Sequence, residues 1–154
     1  MEEKLKNLFI ELFLDSKQSD RCLAKKINVS QPTVSKLRKK LDNEDYVSEY
    51  TLIPNLSKID VQLISFIGIK WKDYKNIQDL KRFESIVQDN DLVFFAAPGE
   101  GFQDKTKMLI SFHKDYKSYE EFLRELRADF AEVIDAMDTF LISTDNILKN
   151  FTFN

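Results

Sequence analysis

Residues 19–43 read SDRCLAKKINVSQPTVSKLRKKLDN, and their spacing predicts two helices joined by a tight turn. Ser19 is a capping residue type, and Leu23, Ala24 and Ile27 after it share one helical face. Asn28 tolerates the left-handed backbone that such a turn needs, and Val29 plugs the turn. Ser30 caps again, Pro32 falls in a first turn where its missing N–H costs little, and Val34, Leu37 and Leu41 recur at i, i+3 and i+7. Upstream, Leu5, Leu8, Phe9, Leu12 and Phe13 make an amphipathic helix from Glu2 to Leu14. A small residue, a turn residue and an apolar pair in this register predict a helix-turn-helix. Tyr46 to Ile53, stopped by Pro54, then predicts an extended wing or linker strand.

Charge isolates the same stretch. The 154 residues carry a net charge of −3, yet residues 17–40 hold eight cations against Asp20 alone, a local +7 that leaves −10 elsewhere. A basic segment in an acidic chain reads, from charge alone, as a polyanion-binding element or as a solvated helix face.

The remaining hundred residues change rhythm. Strands are predicted over Leu63–Trp71, Leu92–Ala97, Lys107–Phe112 and Ala136–Ser143, with helices over Ile77–Val87 and Ser118–Phe130. The order βαββαβ is ferredoxin-like, both helices covering one face of an antiparallel sheet. The fold class is therefore α+β, with a winged helix-turn-helix domain over 1–54 and a ferredoxin-like domain over 55–154. Its strands do not alternate as a half-solvated sheet would: Ile64 and Phe66 oppose Leu63, Ile67, Ile69 and Trp71, and Val93–Phe95 and Met108–Ile110 are unbroken apolar runs. The face without helices is expected to pack on a second copy of the chain, with the tail Ile147–Phe153 as the alternative cover.

Catalytic and metal chemistry find little support. His113 is the lone histidine and far in sequence from the lone cysteine, Cys22, which reads as a small packed residue. Glu120, Glu121, Arg124 and Arg127 read as a charged outer helix face. No Gly-rich phosphate loop occurs, a closed zinc site needs about four Cys or His ligands, and no cofactor is expected. One cysteine, no signal-peptide pattern and no long apolar run lead us to expect a cytoplasmic protein without membrane contact, and the basic segment, read as a polyanion binder, a nucleoid-associated one.

Carried to residue 55, the stretch SDRCLAKKINVSQPTVSKLRKKLDNEDYVSEYTLIPN, followed by a βαββαβ domain, closely resembles the Lrp/AsnC (feast/famine) transcriptional regulators. The resemblance covers nearly the whole chain. It implies a RAM-type assembly domain that dimerises through its sheet, further assembly to tetramers or octamers, and an amino-acid effector. Two departures stand out. Leu37 and Arg38 exchange the basic and apolar types many members carry there, and the hairpin PGEGFQDKTK is longer and more charged than the family's, although Gly101 and Asp104 keep a Gly-x-x-Asp spacing. With Gly99 they are the candidate effector residues.

For the DNA contact, a major groove about 12 Å wide admits the Ser30–Leu41 helix. With its apolar side turned inward, Gln31, Thr33, Ser35, Lys36, Arg38, Lys39 and Lys40 face outward. Gln31 suits adenine, Thr33 a thymine methyl, and Lys36 or Arg38 guanine. Arg21, Lys25, Lys26, Lys39 and Lys40 suit phosphates, and Ser30 reads first as a cap, with phosphate binding second. The expected function is sequence-specific regulation by a homo-oligomer on double-stranded DNA. An architectural DNA-binding protein of low specificity and a protein-interaction module are the competing readings.

Overall fold

The computed structural model describes residues 2–72 and 76–149. The chain divides into two compact units, one running up to Ile53 and one over Pro54–Leu148.

The first unit holds α1 (Glu3–Leu14), α2 (Asp20–Lys26) and α3 (Gln31–Asn43). Leu5, Leu8, Leu12, Leu23, Ala24, Val34 and Leu41 form its core, with Phe9, Ile27, Val29, Leu37 and Val47 packed around them. The endings of α2 and α3 have local causes. Asn28 stands at φ 52°, and the Val29 amide closes a six-to-one turn onto the Ala24 carbonyl at 2.9 Å. Asp45, at φ 54°, ends α3 in the same way, with the Tyr46 amide on the Leu41 carbonyl. Side-chain oxygens of Ser19 and Ser30 accept from the Cys22 and Thr33 amides and start α2 and α3.

Two expectations need correcting here. Cys22 is exposed, because the inward positions of α2 are taken by Leu23 and Ala24. Tyr46–Ile53 forms no strand. An extended segment gains ladder bonds only from a neighbouring strand, and the described residues of this unit offer none, so the stretch is a linker without a wing.

The second unit contains β1 (Leu63–Trp71), α4 (Ile77–Gln88), β2 (Val93–Gly101), β3 (Lys105–His113), α5 (Tyr116–Phe130) and β4 (Ile134–Ser143). The strands form one sheet in the order β2-β3-β1-β4, all pairs antiparallel, which is the ferredoxin-like arrangement. Ile67, Ile69, Trp71 and Leu109 meet Phe83 and Val87 of α4 and Phe122, Leu123, Leu126 and Phe130 of α5. Trp71, Phe83 and Phe130 pack edge to face in a ring of three, with centroids 5.2–6.1 Å apart. Within this core Ser65, Ser111 and His113 are wholly buried. The two hydroxyls lie 2.6 Å apart and each contacts His113 Nε2, while Nδ1 has no partner. On the outer side of α5, Glu121 pairs with Lys117.

β2 and β3 run further than the sequence suggested, so the hairpin narrows to Phe102, Gln103 and Asp104, at φ 43°, 59° and 63°. A register shift between Val93 and Phe95 accounts for the unbroken apolar run. Phe94 stacks on Phe112 at 5.0 Å, while Phe95 pairs with Ile110, so both rings reach the face without helices. Part of the Ile147–Phe153 tail, residues 150–153, lies outside the described residues.

Candidate nucleic-acid interface

The basic segment builds its surface on α2 and α3. Along α3 Val34 and Leu41 are fully buried and Leu37 partly so. At about 100° per residue, the opposite side carries Gln31, Ser35 and Lys39 one turn apart, with Pro32 and Lys36 beside them. All five are exposed, as are Arg21 and Lys25 on α2. Thr33 and Lys40 are half-buried on the flanks. Ser30 spends its hydroxyl on the Thr33 amide and the Thr33 hydroxyl, the latter at 2.7 Å.

The cations of the segment fall into two groups. Among the described residues Lys17, Arg21, Lys25, Lys36 and Lys39 make no ion pair. Lys26 Nζ lies 2.6 Å from Glu11 Oε2, and Lys40 Nζ lies 2.9 Å from Glu2 Oε1 and 3.8 Å from Glu44. Their hydrogen bonds to Glu11 and Glu2 raise the pKa of both lysines and lower those of both carboxylates. Arg38 is engaged most fully. Its Nε donates to Asp20 Oδ1 at 2.8 Å and its Nη2 to the Gln18 carbonyl at 2.9 Å, both part-buried. The sequence reading turned Arg38 outward toward guanine; in the structure it faces α2. The signal that was missed is Asp20, the one acid in the segment, eighteen residues away and so invisible to helical periodicity.

A second candidate surface is the sheet face without helices. Phe66, Gly68, Phe102, Met108, Asp138 and Phe140 line a hollow of about 360 Å³ there. Lys105 is 6% exposed and reaches Asp138 Oδ2 at 2.6 Å, its stem lying over Gly68, where a Cβ would stand 3.0 Å from Lys105 Cγ. The candidate effector residues Gly99, Gly101 and Asp104 are exposed on the hairpin and do not line the hollow; Asp104 lies 3.8 Å from Lys70. Phe102, from the same hairpin, does line it, and sequence spacing gave no hint of this because the turn sits between strands longer than expected.

No family model matches the chain. Over 82 residues it is 34% identical to an uncharacterised HTH-type transcriptional regulator of Pyrococcus furiosus, and the chain spans about half the length of this curated relative, 53% of each. Among solved structures, an AsnC family transcriptional regulator from Agrobacterium tumefaciens superposes with a TM-score of 0.82 over 100% of this chain and 95% of that one, at 19% identity. A transcriptional regulator from Neisseria meningitidis in complex with L-Met gives 0.84 over 100% and 96%, at 14% identity. The chain therefore has the fold of the AsnC-type regulators.

Proposed function

We propose that the chain is a transcriptional regulator of the Lrp/AsnC type, binding double-stranded DNA sequence-specifically as a homodimer or higher oligomer, with α3 in the major groove. The carrying observation is the α3 stripe of Gln31, Ser35, Lys36 and Lys39, exposed as a set and flanked on α2 by the unpaired cations Arg21 and Lys25. Polar groups that can read base edges lie between charges that can hold phosphates, the division of labour that groove recognition requires. One such module makes too small an interface for useful specificity, roughly 600–1,000 Å². A second copy seated on the apolar sheet face supplies a second reading head, with half-sites about one helical turn apart or a multiple of it. Residues 55–154, with 13 Lys and Arg against 17 Asp and Glu, carry a net −4 that keeps the assembly half off the DNA. No helix among the described residues is long and apolar enough to cross a membrane, in keeping with a cytoplasmic, nucleoid-associated role.

Selection of bound duplexes from a random pool, followed by binding across a salt series, tests this reading. We expect a motif with two related half-sites, affinity that falls steeply with salt, and preference of roughly 10³ or more over random DNA. Binding without a motif would favour an architectural protein, and no binding would leave the protein-interaction reading. The L-Met complex of the Neisseria neighbour supports an amino-acid effector here too, and calorimetric titration with amino acids, in the wild type and in Asp104→Ala, tests it.

A further inference from the structure

We infer that Arg38 is a positioning residue for DNA binding and not a reader of bases or phosphates, an inference that rests on the function just proposed. Three contacts converge where the chain passes from α1 to α2. Arg38, in the middle of α3, grips Asp20 in the first turn of α2 and the Gln18 carbonyl just before it. Gln18 in turn donates through Nε2 to the Glu11 carbonyl near the end of α1, at 3.0 Å. One guanidinium thus ties all three helices through a single knot. Its planar fork suits two acceptors set apart in this way, whereas a lysine offers a point charge on a flexible stem. The knot fixes where α2, with Arg21 and Lys25, stands relative to the α3 stripe. Without the knot that angle varies in the free protein, and restoring it on binding costs the same on any duplex while the phosphate and base contacts themselves are kept.

The test turns on the sign of one substitution. Removing an acid beside a DNA-binding surface strengthens binding on charge grounds alone, and it also frees an arginine. If Arg38 positions, Asp20→Asn weakens binding instead. We expect Asp20→Asn, Arg38→Ala and Arg38→Lys each to lose about tenfold in affinity. The loss should be equal for the selected operator and random duplex, with the base preferences and the salt slope of the wild type retained. Circular dichroism melts fix a temperature at which every variant is fully folded, so that lost stability alone leaves the affinities unmoved. Four results overturn the inference: tighter binding by Asp20→Asn, full retention by Arg38→Lys, relaxed preference at one base pair, or a salt slope shallower by about 0.9, the mark of a lost phosphate contact. Wild-type protein that binds no duplex would overturn the proposed function itself, a result separate from wild-type binding with a tighter Asp20→Asn.

Discussion

At the scale of single residues, exposure and pairing divide the cations of α2 and α3 into those without an ion pair among the described residues and those engaged by the protein's own acids. Lys36 is exposed on the stripe. We expect Lys36→Ala to lose about 1–3 kcal/mol on a selected operator and much less on random duplex, whereas Lys25→Ala loses affinity on both and lowers the salt slope by about 1; gel-shift titrations separate the two. His113 carries a different consequence. Burial lowers its pKa, so as pH falls the unfolded chain takes up the proton first, near its ordinary value of about 6.5. Stability is thus complete above that value and declines below it, by up to about 1.4 kcal/mol per pH unit, until the folded imidazole titrates. Urea unfolding between pH 7.5 and 5.5 should show this slope, and His113→Gln should flatten it. Residue roles were legible in the sequence where they depend on neighbours in the chain, as for the caps Ser19 and Ser30. They were not where a partner lies far away, as for Arg38 with Asp20 or His113 with Ser65.

At the scale of elements, the helices were readable because their apolar faces and stops are local. α5 buries the five residues its spacing singled out, Tyr119, Phe122, Leu123, Leu126 and Phe130. The strands of the hairpin were read too short, because Pro98, Gly99 and Gly101 signal a turn while the ladder between neighbouring strands carries β2 through to Gly101. The wing failed for the opposite reason: Tyr46–Ile53 has a strand's composition and no partner strand among the described residues of its unit. The turn at Asn28 yields an element-scale expectation. A left-handed backbone costs a residue with an ordinary Cβ about 1–2 kcal/mol, and glycine nothing in sterics. Asn28→Ala should therefore lower the melting temperature of the helical unit by several degrees, while Asn28→Gly stays near the wild type.

At the scale of the whole molecule, the function proposed above divides the labour between the two units. The sheet face without helices presents Phe140 at 68% exposure beside Phe66, Met108 and Ile142. An exposed apolar face of this kind marks an interaction surface. Phe140→Asp should shift the protein to monomers in sedimentation velocity without changing its circular dichroism, and should cost the operator preference that two reading heads provide. The sequence already showed that this face exists, since its strands do not alternate; that Phe102 joins the rings lining the hollow depended on the true length of the hairpin strands. The ring of three aromatics in the core has a practical consequence. Trp71 is the only tryptophan in the chain and is 3% exposed between Phe83 and Phe130, so intrinsic indole fluorescence reports the sheet unit and is silent about the helical one. A change in that emission when operator is added would be an optical signal that the reading head and the assembly unit communicate.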